Sequence, residues 1–172
     1  MTEQVVRVDE YDREIGTEEK ERAHREGMLH RAFSVFVFDS RGRLLLQRRA
    51  LTKYHSAGLW TNTCCSHPRP GEDVQDAARR RLREEMGMAC DDLRVAFPLL
   101  YRAELDRGMI EHEYDHVLLG TCERDPVPSP DEVVEWAWVD AEAVRRDVEE
   151  HPDRYTYWFR IALPEVLDLR AA

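Results

Sequence analysis

The sequence predicts an α+β fold, a sandwich with helices packed around a sheet, and three observations carry that prediction. β-branched and aromatic residues crowd Arg31 to Phe38 (RAFSVFVF). The turn Asp39-Ser-Arg-Gly42 and a second apolar run, Leu44 to Ala50, then complete a hairpin pattern. Val74, Ala77, Ala78, Leu82 and Met86 fall on one side of a helix at about 100° per residue. Strand-like runs at 95–105, 109–121 and 133–139 precede a last helical stretch at 155–169 that returns Trp158 to the body. No repeat or low-complexity tract interrupts the pattern.

Taken in order, residues 2–27 are polar, with a helix expected over 17–26, capped by Thr17 and carrying Lys20 and His24 on one face. After the hairpin, residues 51–71 are expected to form a long loop. Within it, Trp60-Thr-Asn-Thr-Cys-Cys-Ser-His-Pro68 favours extended backbone, and Pro68 and Pro70 stop any helix. Extended backbone points Cys65 and His67 the same way. Residues 72–86 read as a helix with acids in its first turn and Gly87 at its end. Glu85 falls on its apolar face one turn after Arg81. Either the two pair internally at four-residue spacing, or Glu85 meets a cation. Asp106-Arg-Gly108 joins the next two strands, and Glu111 and Glu113 lie on one face of the second. Such a pair is a solvent-facing edge unless a proton or cation bridges it. A turn-rich connector, 126–130, leads to the strand bearing Trp136 and Trp138, and Asp140 caps a short helix.

The 172 residues suit one domain. With 42% hydrophobic and 35% charged residues the chain reads as globular and soluble. A net charge of −10 argues against a nucleic-acid or acidic-membrane binder. No signal peptide is expected, since no basic start followed by an apolar run appears before residue 30, and the longest apolar patch is too short to span a bilayer. The cysteines at 64, 65, 90 and 122 show no disulfide spacing, so a cytoplasmic location with reduced thiols is expected.

His24, His30, His67, Glu111 and Glu113 offer three imidazoles and two carboxylates. That set suits Mn²⁺, Zn²⁺ or Mg²⁺ in octahedral geometry better than a Cys-rich zinc site. No local spacing rule joins them, and His55, His112, His116 and His151 read as ordinary surface or core residues. Arg48, Arg49 and Lys53 precede the Trp60–Pro68 stretch. Arg79, Arg80 and Arg83 project from the polar side of the 72–86 helix, but Arg81 does not. A few inward bases near a metal-binding Glu are what a di- or triphosphate needs.

Several motifs now align in one order: AH at 23–24, LHRAFSVF at 29–36, QRRAL-K at 47–53, GLWTNTCCSHP at 58–68, REEMG at 83–87, YRAE at 101–104 and EHE at 111–113. In these the chain resembles the type I isopentenyl diphosphate isomerases, enzymes of Nudix fold, from about Lys20 to Trp158. The resemblance implies a single Nudix-like α/β/α sandwich over 1–172 with a central mixed sheet, residues 1–28 being an extension that supplies a metal ligand and a base. It implies interconversion of isopentenyl and dimethylallyl diphosphate through a tertiary carbocation. His24, His30, His67, Glu111 and Glu113 would hold Mn²⁺ or Zn²⁺. Glu85 and the Cys65 carbonyl would hold a Mg²⁺ arriving with the substrate. Lys20, Arg49, Lys53 and Arg81 would contact the diphosphate. Cys65 and Glu113, assisted by Tyr101, would transfer the protons, and Trp158, or failing it Trp60, would face the cation. A monomer is expected, with a small isoprenoid diphosphate as its partner and neither nucleic acid nor membrane.

The alternative is a Nudix hydrolase of a nucleoside diphosphate derivative. Glu72, Arg80, Glu84, Glu85 and Gly87 match the hydrolase box. Ser66 replaces its leading Gly, however, and Arg81 stands where hydrolysis expects a metal-binding Glu.

Overall fold

A computed structural model describes residues 2–171 of the chain. The elements are β1 (Gln4–Val8), β2 (Glu14–Glu19), α1 (Lys20–Glu26), β3 (His30–Phe38), β4 (Leu44–Arg49), β5 (Trp60–Thr61), β6 (Cys64–Ser66), α2 (Val74–Met86), β7 (Arg94–Glu104), β8 (Ile110–Thr121), β9 (Val133–Val139), α3 (Ala141–Glu150) and α4 (Tyr157–Ala171). Among the described residues nine strands share one mixed sheet, and β3 is its hub. β8 runs parallel to β3 from His30 opposite Glu113 to Phe38 opposite Thr121. On the other edge β1, β6 and β4 pair with β3 antiparallel.

Both faces of β3 are covered, as a central strand requires. Phe33, Val35 and Val37 meet Ala77, Ala78, Leu82 and Met86 of α2. Phe36 and Phe38 meet Phe159, Leu163 and Val166 of α4, with Val144 of α3. The result is the expected α/β/α sandwich. No helix among the described residues is long and apolar enough to cross a membrane.

Three local expectations change. The helix expected at 17–26 starts at Lys20, and Thr17 lies in β2 opposite Val6, so it caps nothing. Strand β2 is set by backbone pairing with β1 and has little apolar pattern of its own. The turn between them is tied down at Asp12, which accepts from Arg31 Nε at 2.7 Å and lies 2.9 Å from His116 Nε2. The hairpin of β3 and β4 closes only at Phe38 opposite Leu44. Beyond that point β6, from inside the stretch expected to be loop, pairs with β3 instead. Buried side chains fill the gap: Thr63 Oγ1 accepts from Val37 N–H at 2.9 Å and donates to the Leu45 carbonyl at 2.7 Å. Asn62 donates to the carbonyls of Val35 and Cys64.

Helix α2 is capped by Asp73, which accepts from the N–H groups of Gln75 and Asp76. It ends at Gly87 in the left-handed conformation, φ 61°. The 126–130 connector is fastened to this end, Val127 N–H to the Met86 carbonyl and Ser129 N–H to the Glu85 carbonyl, each at 2.8 Å. A Cβ on Gly87 would lie 2.6 Å from the Val127 carbonyl oxygen, whereas one on Gly42, also left-handed, meets nothing within 4 Å. Gly42→Ala should therefore cost only the left-handed penalty of about 1–2 kcal/mol. Gly87→Ala should cost more, because backbone must move as well. Urea unfolding midpoints at equal m-values check the order.

Candidate active site

Alternation along β8 turns Glu111, Glu113 and Asp115 to one buried face. The β3–β8 register sets His30 directly beside Glu113, with its Nε2 3.1 Å from Glu113 Oε2. His67, just past β6, brings its Nε2 within 2.9 Å of the same oxygen. His24 on α1 places Nε2 3.3 Å from Glu111 Oε1. One ligand atom from each of these five buried residues lies within 4.8 Å of all the others. The solvent-edge reading of Glu111 and Glu113 is thereby excluded.

The ring orientations say what this cluster needs. His24 Nδ1 donates to the Lys20 carbonyl at 2.7 Å and His30 Nδ1 to the Met28 carbonyl at 2.8 Å. A neutral ring so held has a bare Nε2. Two lone pairs then face carboxylate oxygens, which is repulsive unless a proton or a cation lies between them. Burial opposes charge on His24, but Glu111 outweighs it and raises the imidazole above its ordinary value, which favours a positive charge in that gap. Burial pushes His67 down to about 3 despite Glu113, leaving it neutral, and its Nδ1 lacks a partner, as does Glu111 Oε2. The donor set and these orphaned atoms fit a divalent ion.

A cavity of about 110 Å³ opens beside the cluster. Lys20, Arg49, Lys53 and Arg81 line it together with Cys65, Glu85 and Trp158. Each base already has a partner: Lys20 has Glu3 at 2.7 Å, Lys53 has Glu132 at 2.6 Å, and Arg81 reaches Glu84, Glu85 and Glu132. Arg49 donates to the His55 carbonyl at 3.1 Å and lies 5.3 Å from the Trp158 ring. Glu85 pairs with Arg81, as one of its two readings had it, and also lines the cavity. Burial lifts its carboxyl above the usual range, and Cys64 Sγ contacts it at 3.2 Å.

Cys65 and Glu113 flank β3 from opposite edges, through β6 and β8, and both line the cavity. Burial holds Cys65 as a thiol, although Arg49 pulls the other way. Tyr101, opposite Glu113 on β7, donates its hydroxyl to Glu113 Oε1 at 2.7 Å. Trp158 lines the cavity and donates Nε1–H to Asn62 Oδ1 at 3.1 Å. Trp60 does not share this role, for it packs with Tyr155 and Phe159 on the α4 side.

Four site residues gave no signal in the sequence pattern: Glu3, Tyr54, His55 and Glu132. His55, expected to be ordinary, is 2% exposed and its Nε2 lies 2.8 Å from Glu111 Oε1. A fifth, Asp115, was detectable by continuing the alternation of Glu111 and Glu113. It accepts from Ser34 Oγ at 2.7 Å, and burial, reinforced by Glu113, raises its carboxyl well above the usual range.

The NUDIX domain family matches residues 28–159, a span that begins after Lys20 and His24. The chain is 56% identical to "Isopentenyl-diphosphate Delta-isomerase 1" of Aromatoleum aromaticum, over 99% of this chain and 96% of that protein. It is 54% identical to "Isopentenyl-diphosphate Delta-isomerase" of Burkholderia multivorans, over 92% of this chain and 90% of that one. Among solved structures, DR0079 from Deinococcus radiodurans matches with a TM-score of 0.70 at 21% identity, over 87% of this chain and 90% of that one. A MutT protein from Methanosarcina mazei matches at 0.64 and 19%, over 84% and 96%. At such identities these structures speak for the fold alone. With a domain match over most of its length and full-length relatives above half identity, the chain belongs to the Nudix family and, within it, to the type I isopentenyl-diphosphate isomerases.

Proposed function

We infer that this chain is an isopentenyl-diphosphate Delta-isomerase, moving the C=C bond between isopentenyl and dimethylallyl diphosphate. The observation that carries the reading is the convergence of Cys65, the Glu113–Tyr101 pair and the four bases on one cavity.

Transposing the double bond needs a proton added at one carbon and another removed two carbons away, hence two acid/base groups. Cys65 and Glu113 supply them from opposite edges of β3. The buried thiol holds its proton, and Tyr101 fixes the Glu113 carboxylate. Protonating an alkene creates a tertiary carbocation that water would quench, so the site must close and exclude water once the substrate is bound. The Trp158 ring, which already lies near one cation, Arg49, stabilises the second by about 2 kcal/mol or more when desolvated. Lys20, Arg49, Lys53 and Arg81 hold the diphosphate, which for Lys20, Lys53 and Arg81 replaces the present carboxylate partners.

His24, His30, His67, Glu111 and Glu113 would hold a Mn²⁺ or Zn²⁺ ion, and Glu85 with the Cys65 carbonyl a Mg²⁺ brought by the diphosphate. When bound, the first ion fixes its carboxylates in place and the second neutralises phosphate charge. The partner is a small isoprenoid diphosphate, and the protein acts as a monomer with no nucleic acid or membrane, in the cytoplasm. Against hydrolysis, Arg81 stands where the hydrolase box has a metal-binding Glu, and it pairs with Glu84 and Glu85.

Incubation with Mg²⁺ and labelled isopentenyl diphosphate should yield an acid-labile allylic product. Phosphate release from nucleotide sugars without that product would instead support the hydrolase. Cys65→Ala and Glu113→Gln should each lower turnover by about 10²–10⁴-fold, and near-full turnover in either variant removes that residue from proton transfer.

A proton competes with the ion for His24 Nε2, and Glu111 strengthens that competition. Equilibrium dialysis should therefore find one Mn²⁺ per chain at pH 8, with affinity falling as the pH is lowered and the fall setting in above the ordinary histidine range. Equal affinity at pH 8 and pH 5.5 would show that His24 is not a ligand.

A further inference from the structure

Four imidazoles surround Glu111 and Glu113, and His55 is held differently from His24 and His30. His24 and His30 have Nδ1–H committed to backbone carbonyls, so their Nε2 atoms are free to bind a cation. His55 has no such carbonyl. Its Nδ1 lies 3.1 Å from the hydroxyl of Ser56, which can donate or accept. Its Nε2 lies 2.8 Å from Glu111 Oε1, the oxygen His24 also approaches. A 2.8 Å approach of a ring nitrogen to a carboxylate oxygen calls for a proton between them, and with Nδ1 accepting from the Ser56 hydroxyl that proton sits on His55 Nε2. His55 also falls outside the set of five whose ligand atoms converge within 4.8 Å.

The surroundings fix this ring as well. Its edge meets the Trp158 ring at 5.7 Å between centroids, and it stacks on His24 at 5.6 Å. Its backbone is held on both sides: Arg49 donates to its carbonyl, and the next residue, Ser56, stands at φ 51° with its N–H on Asp106 Oδ1 at 2.8 Å. Arg107 donates to the Lys53 carbonyl at 2.9 Å from the same β7–β8 turn. Neither His55 Nε2 nor Glu111 Oε2 has an in-line partner. A small rotation of the carboxylate, one oxygen to His55 and the other to an ion, satisfies both.

We propose that His55 is a positioning residue of the metal centre: as the Nε2–H tautomer it donates to Glu111 and orients that carboxylate toward the ion, without being a ligand itself. The proposal rests on the reading of His24, His30, His67, Glu111 and Glu113 as a metal site. It also ties that site to the diphosphate clamp, since Arg49 and Glu111 grip the carbonyl and the ring of one residue.

Two measurements test it. Long-range ¹H–¹⁵N spectra of the wild-type protein labelled at histidine, with and without Zn²⁺, read each tautomer directly. His55 should be Nε2–H in both states, while Nε2 of His24 and His30 shifts on Zn²⁺ addition. A His55 Nδ1–H tautomer, or a His55 nitrogen that shifts as the ligands do, overturns the proposal. In the second measurement, His55→Phe should weaken Mn²⁺ binding about 10–100-fold, with kcat recovering at high Mn²⁺, and His55→Gln, which keeps an N–H donor, should restore most of the affinity. Mn²⁺ affinity within twofold of wild type in His55→Phe, or equal weakness in both variants, overturns it while the metal centre stands. A wild-type protein that binds neither ion overturns the metal centre and this proposal together.

Discussion

The parallel pairing of β3 with β8 is the constraint on which the site depends. It sets His30 beside Glu113 although 83 residues separate them. Because side chains alternate along a strand, a slip of one residue would send Glu111, Glu113 and Asp115 to the opposite face. The two faces of β3 guard against that slip, since Phe33, Val35 and Val37 fit only under α2, and Phe36 and Phe38 only under α4. Apolar packing therefore determines where the carboxylates go. Tyr101 is placed by the same logic one strand further out.

Against this frame the electrostatics are unfavourable until groups are paired. Three carboxylates share one buried face of β8, and three partial solutions keep them there. Asp115 accepts from the Ser34 hydroxyl, and burial with Glu113 pushes its carboxyl well above the usual range. Glu113 has Tyr101, His30 and His67, and Glu111 has His24 and His55. The cations obey the same rule from the other side of the cavity, with Glu3, Glu85 and Glu132 standing against Lys20, Lys53 and Arg81. Charge here is balanced locally, because a lone buried ion is too costly to keep.

Much of this was legible in the chain. β9 appears with the expected bounds, α2 within two residues of them, and the acid on the apolar side of α2 was visible from helical periodicity alone. The five-residue metal cluster was not legible as a pattern, since its members come from α1, β3, β8 and the residue after β6, and only the family resemblance joined them. β1 and β2 were missed because β2, Glu-Ile-Gly-Thr-Glu-Glu, is exposed and acidic and exists through its neighbour's backbone. β6 was missed because the groups that detach it from the expected hairpin are polar side chains, Asn62 and Thr63, whose partners lie far along the chain. His55 lies in irregular backbone with no period to read; only the folded chain brings Glu111 to it.

The two-strand platform at the start of the chain has a consequence for how the protein is made. β1 and β2 carry α1, and with it Lys20 and His24, yet α1 meets Glu111 only after β8 exists. On a ribosome that segment emerges before β8 and waits for it while α2 and β7 are still being translated. An ion captured by the finished cluster would then clasp this earlier-made segment to β8, adding its binding energy to the last step of folding.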